Sequence, residues 1–280
     1  MKTLLPDYSV IQITGKDARD FLHRQLSNHI NGLSLHQACW ATYNTAQGRV
    51  FADCYMIADE NDVFWMIVAQ DLALPIIERL RKYIMRSQVV LELAENWRVA
   101  GTLPKQKNLF RLPENSEAYL PCVQKDSVLN ITLLHGGILS VASMQNLPSY
   151  DAECEHQWRL WEMQNGFAHI QAATSEKCVA QMLNYHRLGA IHFQKGCYPG
   201  QEIIARSQYR GCVKRGLILA KADVILPIGD SIDDAEEKSI GWVMQSLKTH
   251  SVSLNLCVVK NDARNLLLNQ IPLEVEKTFS

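Results

Sequence analysis

The spacing of apolar and polar residues along the chain predicts both amphipathic helices and short strands. Residues 8–13 (YSVIQI) alternate in character and end near a glycine, as a half-buried strand does. Residues 16–30 and 71–85 place apolar side chains three and four positions apart, which predicts helices. Residues 151–165 form a third such helix, and Gly166 follows it in the place of a C-terminal cap.

The other apolar runs are short and lie between turn residues, which favours strands. They cover residues 39–44, 50–58, 63–69, 88–93, 97–103, 118–123, 130–134, 138–142, 213–221, 239–246 and 252–260. Residues 105–116 hold few apolar side chains and predict a loop. Helices mixed with strands in this order predict an α+β fold, and the closing strands predict a small β-rich C-terminal unit.

The composition fits an ordinary globular protein. The 280 residues are 47% hydrophobic and 20% charged, with a formal net charge of −1. No apolar run reaches the roughly 18 residues that a membrane-spanning helix needs. The apolar stretch at the N-terminus is too short for a secretory signal. We therefore expect a cytoplasmic protein with no membrane partner. Near-neutral charge gives no support for broad nucleic-acid binding, although a local basic patch around Arg206, Arg210, Lys214 and Arg215 could meet an anionic partner.

Eight cysteines are scattered through the chain, and none forms a C-x-x-C pair. This spacing favours reduced thiols over a disulfide framework, and it argues against a zinc ribbon or a ferredoxin-type cluster site. The nine histidines are equally dispersed, and each is more typical of a surface or hydrogen-bonded residue than of a metal ligand. No metal site is predicted.

The segment 195–202 (KGCYPGQE) combines a cysteine with glycines, a proline and charged residues. Gly196 allows unusual backbone angles, the Pro-Gly pair predicts a turn, and residues 201–206 predict a helix. Cys197 then lies on a tight loop before a helix, where the helix start and Lys195 favour a thiolate. The alternative is a buried turn whose cysteine acts as a small apolar residue.

The helix at 151–165 carries a possible ligand surface. Trp158 and Trp161 lie three residues apart, and Glu162 follows Trp158 by four, so the three side chains share one side of the helix. An indole offers stacking area, and a carboxylate accepts hydrogen bonds from ring N–H groups. The alternative is a core helix with an aromatic stripe.

Several of these segments resemble a known family. The octapeptide is similar to the signature K-G-C-Y-x-G-Q-E of the YgfZ folate-binding proteins, which are relatives of the aminomethyltransferase (T-protein) of the glycine cleavage system. The resemblance continues in residues 184–193 (NYHRLGAIHF), in residues 13–26, and in Gln157-Trp158 followed by Gly166-Phe167. Residues 178–181 (CVAQ) depart from it, because the family has F-I-P-Q there.

The resemblance implies two α+β domains and a small C-terminal β-barrel around a central cavity. The first domain is discontinuous and would take residues 1–33 and 97–206, with the cysteine motif. Residues 34–96 would form the inserted second domain, and residues 207–280 the barrel.

The resemblance also implies a function. The chain would bind tetrahydrofolate or a derivative and would support iron–sulfur cluster assembly or repair, and thereby tRNA modification. Its partners would be folate and iron–sulfur enzymes or assembly factors, without direct tRNA contact and without independent catalysis. The implied folate-site residues are Trp158, Tyr8, Glu162 and Trp161. Cys197 would be a functional thiol that need not be catalytic, supported by Lys195 and Glu202.

Two alternatives stay open. One is a folate-dependent aminomethyltransferase, methyltransferase or demethylase. Residues 47–53 (QGRVFAD) resemble the T-protein strand that carries an aspartate pair, but Phe51 and Ala52 occupy the acidic positions here. Asp53 lies one residue further along, and a one-residue shift in a strand reverses the face. We therefore do not expect aminomethyl transfer. The other alternative is a scaffold in which the octapeptide is only a turn.

Overall fold

The computed structural model describes residues 1–60, 63–104, 119–211, 213–234, 236, 238–263 and 266–279. The predicted loop at 105–116 lies outside the described residues. Within them the fold is a strand-rich α/β mixture built on two antiparallel sheets.

Ten described strands form the first sheet. In chain order they are β1 (Lys2–Leu4), β2 (Tyr8–Thr14), β3 (Gln37–Asn44), β4 (Val50–Ala58), β5 (Phe64–Ala69), β6 (Val90–Leu93), β7 (Trp97–Thr102), β8 (Tyr119–Lys125), β9 (Val128–Thr132) and β10 (Ile138–Ser143). They lie side by side as β1-β7-β10-β9-β8-β3-β4-β5-β2-β6. Apart from the short β1, each of these strands was predicted to within a few residues.

The second sheet comes from the C-terminal part of the chain. Its described strands are β11 (Arg215–Ala222), β12 (Ser231–Asp233), β13 (Ser239–Lys248), β14 (Ser253–Lys260), β15 (Leu267–Leu268), β16 (Ile271–Pro272) and β17 (Glu274–Phe279). They are ordered β16-β15-β12-β13-β14-β11-β17. This sheet confirms a β-rich C-terminal unit, while its closure into a barrel stays a prediction.

The described residues form four α-helices: α1 (Ala18–Gln25), α2 (Gln70–Arg81), α3 (Ala152–Gln164) and α4 (Gln201–Tyr209). Short 3-10 helices cover Ile30–Gly32, Met144–Asn146, Ala172–Thr174 and Ala180–Leu183. The predicted ends of α3 are confirmed, because the Asp151 side chain accepts the Cys154 N–H at 2.8 Å and Gly166 has φ +76°. α1 is shorter than predicted, since Leu26 is already extended.

Strand β4 is buried at every position, unlike a strand with one wet face. One reason is the segment 167–179, which crosses it. The Ser175 hydroxyl donates to the Phe51 carbonyl at 2.7 Å, and Ile170 N–H donates to the Asp53 carboxylate at 2.7 Å. This crossing brings the end of α3 to the centre of the first sheet, where the candidate site lies.

The strand order bears on the implied domains. β2, from the first implied domain, pairs with β5 and β6 of the second. The two implied α+β units therefore share one hydrogen-bonded sheet, and their division into separate domains stays a prediction. None of the helices built from the described residues combines the length and apolar character that crossing a bilayer requires.

Candidate ligand site

Trp158 lies in the core. It is only 1% exposed, and its indole packs where Gly101 and Gly137 leave room. A methyl group added at Gly101 would stand 2.7 Å from the indole ring. The edge of His135 meets the same ring at 5.5 Å between centroids. The Trp158 face that the resemblance assigns to folate is therefore covered by protein.

Asp53 is buried, and its carboxylate points toward the end of α3. It accepts hydrogen bonds from Trp40 Nε1 at 3.0 Å, His169 Nδ1 at 2.7 Å and the Ile170 N–H at 2.7 Å. Three donors satisfy this carboxylate inside the core, as a buried charge requires. Asp53, the residue next to the positions where the T-protein has its acidic pair, therefore makes hydrogen bonds inside the core.

Glu162 completes the group from the other side. Its Oε1 lies 3.3 Å from His169 Nε2 and 4.0 Å from His135 Nε2. The carboxylate is 3% exposed, and its 3.3 Å contact with His169 is an ion pair when the imidazole is charged. We call Asp53, His169, Glu162 and His135 the central cluster.

The pKa values of the central cluster are pushed apart. Burial alone would lower the pKa of His169, but the Asp53 and Glu162 carboxylates outweigh burial and raise it to about 10. Burial, helped by the charge on His169, lowers the pKa of His135 to about 3. At neutral pH the cluster therefore holds a charged His169 between the side chains of Asp53 and Glu162, and a neutral His135.

Glu162 and His169 reach the wall of a small cavity of about 190 Å³, the Tyr8 cavity. Its described wall consists of Asp7, Tyr8, Ala69, Gln70, Asp71, Arg159, Glu162, His169, Gln171 and Gln245. Tyr8 is half-buried, and burial together with the Glu162 carboxylate raises the pKa of its hydroxyl, which therefore stays a hydrogen-bond donor. Trp158 and Trp161 are absent from the described wall.

Tyr8 and Gln70 also line a larger cleft of about 740 Å³, the Trp97 cleft. The other described residues of its wall are Leu4, Leu5, Pro6, Ser9, Val10, Leu93, Ala94, Glu95, Asn96, Trp97, Arg98, Val99 and Tyr150. The small cavity is polar and acidic, whereas most of the cleft wall is apolar. An elongated ligand with a polar head and an apolar middle matches this pair.

Arg159 is the one lysine or arginine in the described wall of the Tyr8 cavity. It forms ion pairs with Asp7 and, at 2.5 Å, with Glu155, whose second oxygen accepts the Tyr150 hydroxyl at 2.7 Å. Arg159 is thus already compensated by protein carboxylates. The exposed Arg98 in the cleft wall donates to the main-chain carbonyls of Glu95 and Trp97 instead of to carboxylates. Its charge is the better candidate for an anionic ligand tail.

The octapeptide forms a separate surface. Cys197 is exposed on the loop before α4, as predicted, and Glu202 is exposed in the first turn of that helix. Lys195, which is expected to favour the thiolate, is 6% exposed. Its ammonium is buried and donates to the carbonyls of His23 and, at 2.6 Å, Leu26, and burial lowers its pKa to about 8. Lys195 therefore ties the loop to the end of α1.

The two glycines of the octapeptide have different roles. Gly200 has φ +78°, and an added methyl group would meet Thr45 O at 2.5 Å and Gly48 Cα at 2.7 Å. The loop thus packs backbone to backbone on the β3–β4 turn. Gly196 does not have a positive φ, and an added methyl group there would find His23 Nε2 at 3.8 Å as its one neighbour within 4 Å among the described residues.

The structure brings only some of the predicted site residues close to one another. Tyr8 and Glu162 meet at the Tyr8 cavity, while Cys197, Lys195 and Glu202 belong to the separate loop. Sequence reasoning missed His169, because nothing local marks one histidine among nine and its partner Asp53 lies 116 residues away. The apolar stretch around it, Phe167 to Ile170, indicated burial, and burial of a histidine calls for a polar partner.

No family model matches the chain. The chain is 27% identical over 280 aligned residues to the tRNA-modifying protein YgfZ of Hamiltonella defensa, which covers 92% of this chain and 82% of that protein. It is 26% identical to the tRNA-modifying protein YgfZ of Escherichia coli O127:H6, over 98% of this chain and 93% of that protein. The resemblance to the YgfZ proteins is confirmed. It extends over most of both chains.

A solved structure shows a similar fold. The glycine cleavage system aminomethyltransferase T from Bartonella henselae superimposes with a TM-score of 0.66, covering 99% of this chain and 84% of that chain. The two sequences are 11% identical. The fold is therefore of the T-protein kind, and the same likeness says nothing about shared chemistry.

The contrast between the two glycines predicts their response to substitution. Gly200→Ala should lower the free energy of unfolding by about 1–3 kcal/mol, because a side chain there is strained and meets the backbone of the β3–β4 turn. Gly196→Ala is the matched control and should change it by less than about 0.5 kcal/mol. Urea denaturation of both variants checks this, and equal losses would show that the Gly200 contact has no special weight.

The raised pKa of His169 predicts a pH dependence of stability. The imidazolium stabilises the fold fully below the ordinary pKa of 6.5, and this contribution is lost as pH rises through about 10. The difference in unfolding free energy between the wild type and His169→Gln should therefore shrink between pH 6.5 and 10, by up to about 1.4 kcal/mol per pH unit. Urea titrations at three pH values measure it. A constant difference would mean that His169 is not charged in the fold.

Proposed function

We propose that this chain binds a reduced folate in the Tyr8 cavity and the Trp97 cleft, and that in the folate-bound form it supports iron–sulfur enzymes on which tRNA modification depends. The observation that carries the proposal is the buried Glu162 carboxylate, which belongs to the wall of the Tyr8 cavity and lies 3.3 Å from the His169 ring. A carboxylate in a cavity wall can accept hydrogen bonds from the N–H groups of a bound ligand.

A pterin ring fits that acceptor. Its ring N–H and exocyclic amino group are adjacent donors, and a carboxylate can accept both. The Tyr8 cavity, at about 190 Å³, suits the pterin head only, and the remainder of the folate extends into the Trp97 cleft past Tyr8 and Gln70. Trp97 offers an aromatic surface in the cleft wall, and Arg98 offers a cation for the glutamate carboxylates.

This assignment changes the expected roles of the aromatic residues. Tyr8 lies where the two spaces join and contacts the ligand, whereas Trp158 supports α3 from the core side. Trp161 is likewise buried and is absent from the described walls of both spaces. Tetrahydrofolate or a derivative remains the proposed ligand, held by Glu162, Tyr8 and the cleft.

The relatives support the wider role. Proteins similar to this chain over most of its length are described as tRNA-modifying, and we carry that role to this chain as a proposal. Iron–sulfur enzymes or assembly factors are the proposed partners, and the exposed Cys197 loop is the proposed contact surface. The enzyme acting on the tRNA would be the partner, with no direct tRNA contact by this chain and a cytoplasmic location.

Independent catalysis is not part of the proposal. Asp53 is the acidic residue nearest to the T-protein position, and its carboxylate is already occupied by three protein donors. It is also absent from the described wall of the Tyr8 cavity. A carboxylate so engaged is poorly placed to bind or protonate a folate nitrogen, which disfavours an aminomethyltransferase, methyltransferase or demethylase.

Glu162→Gln tests the ligand site. The wild type should bind tetrahydrofolate in anaerobic calorimetry, and Glu162→Gln should bind it about ten- to a hundredfold more weakly, because hydrogen bonds to a charged group are worth about 1.5–3 kcal/mol. Glu153→Gln, on the exposed side of the same helix, is the matched control and should bind like the wild type. Absence of binding by the wild type, or equal affinity in all three proteins, would end the folate proposal.

Cys197→Ala tests the partner surface. The variant should fold normally and bind tetrahydrofolate like the wild type, since Cys197 is exposed and lies outside the described walls of both ligand spaces. In cells that lack their own YgfZ protein it should fail to restore iron–sulfur enzyme activity and methylthiolated tRNA. Full restoration would reduce the octapeptide to a structural turn, leaving folate binding as a separate question.

A further inference from the structure

One residue in the wall of the Tyr8 cavity comes from the C-terminal sheet. It is Gln245, on strand β13. All other described residues of this wall and of the Trp97 cleft lie at or before Gln171 in the chain. The folate contacts proposed above do not use Gln245, so its place in the wall is unexplained by them.

A β-bulge brings Gln245 to the cavity. Val243 pairs with Cys257 and Gln245 pairs with Leu256, so Met244 is an extra residue on β13. Val243 packs in the core of the C-terminal sheet, and in a regular strand the side chain two residues later would point the same way. Because the bulge interrupts this alternation, the side chain of Gln245 reaches the cavity wall instead.

The C-terminal sheet is held against helix α3. Strand β13 packs on this helix. At the end of the helix, the Lys277 ammonium donates to the Gln164 carbonyl at 3.0 Å, and a methyl group added at Gly166 would stand 2.6 Å from the Phe279 ring. The position of β13 relative to α3 is therefore set by contacts within the protein, which lowers the cost of ordering the wall when a ligand binds.

The burial of the Gln245 amide indicates its orientation. Its Oε1 is buried and has no hydrogen-bond partner among the described residues. The side chain as a whole is only half-buried and belongs to the cavity wall. Since the oxygen lies on the protein side, the amide nitrogen is the polar atom that faces the cavity. An amide nitrogen donates hydrogen bonds and does not accept them.

Other donors in the described wall are less suitable for the inner end of the cavity. The charged donors His169 and Arg159 are already engaged by protein carboxylates. Tyr8 and Gln70 line both ligand spaces, so they lie where the cavity joins the cleft. Gln245 lines the Tyr8 cavity alone, on a strand that packs against α3.

The pterin proposed for this cavity carries an acceptor next to its donors. In a 4-oxo pterin the ring N–H lies between the exocyclic amino group and the 4-oxo oxygen. When Glu162 accepts from the ring N–H and the amino group, the 4-oxo oxygen is the next atom along the same edge. An acceptor enclosed in a protein cavity needs a donor.

We infer that Gln245 is a specificity-determining residue of the Tyr8 cavity, and that its amide nitrogen donates to the 4-oxo group of a reduced pterin. The inference rests on the proposed folate site and deepens it. It makes the C-terminal sheet a part of the ligand site, which thereby selects pterins that carry an oxygen at position 4.

Anaerobic calorimetry with tetrahydrofolate on the full chain tests the inference. Gln245→Met keeps an unbranched side chain but removes the donor, so it should bind tetrahydrofolate about tenfold more weakly than the wild type. Gln245→Glu replaces the donor by an acceptor and should bind at least as weakly as Gln245→Met. Gln124→Met, at an exposed position of β8, is the matched control and should bind like the wild type.

Infrared spectroscopy distinguishes a contact from a structural role. Tetrahydrofolate labelled with carbon-13 at the 4-oxo carbon gives an isotope-shifted carbonyl band, and a hydrogen bond to the oxygen lowers the frequency of that band. At saturating ligand, the band should lie lower in the wild-type and Gln124→Met complexes than in the Gln245→Met complex. Urea denaturation should show that Gln245→Met is folded.

The outcomes separate this inference from the folate proposal. If the wild type binds no tetrahydrofolate, both are wrong. If the wild type binds it and Glu162→Gln weakens binding, but the band is the same in the wild type and Gln245→Met, only the role of Gln245 is overturned. A band shift in Gln70→Met or Gln171→Met instead would also overturn that role. So would tighter binding by Gln245→Glu, because the amide would then present its oxygen to the ligand.

Discussion

The rest of the structure depends on the buried ion pair between Asp53 and His169. A carboxylate inside a sheet that is covered on both faces is tolerated only when it is fully paired. Here the pairing partners come from β3 and from the segment after α3, so the charge holds three distant parts of the chain in one place. Removing one member of a buried pair commonly costs about 3–5 kcal/mol, because the other charge stays behind unpaired.

The pair also sets the character of the ligand site. His169 has its Nδ1 committed to Asp53, so its other nitrogen faces Glu162 in a fixed orientation. Glu162 is thereby kept close to a positive charge yet left with unused hydrogen-bonding capacity. A structural interaction on the core side thus determines which groups the Tyr8 cavity offers to a ligand.

The sequence predicted local structure well where period, caps and turns agree. The helix α3 is the clearest example, since Asp151, the apolar spacing and Gly166 all mark the same segment. The resemblance added the T-protein kind of fold, which no local pattern could supply. Two features stayed beyond the sequence. The indole of Trp158 lies in the core because glycines on β7 and beside β10 make room for it. The Lys195 side chain is buried because the carbonyls of His23 and Leu26, at the end of α1, accept hydrogen bonds from its ammonium group. Both depend on residues far away in the chain.

The contact between Gly200 and Gly48 has a geometric consequence. Gly48 lies in the turn that begins β4, and Asp53 lies five residues later, roughly 15 Å along an extended strand. Strand β4 therefore sets the distance between the exposed Cys197 loop and the buried Asp53 carboxylate. A partner docked over the loop and a small molecule held near the central cluster would therefore occupy the protein at the same time without touching each other. Strand β4 and its contact with Gly200 join the two places directly.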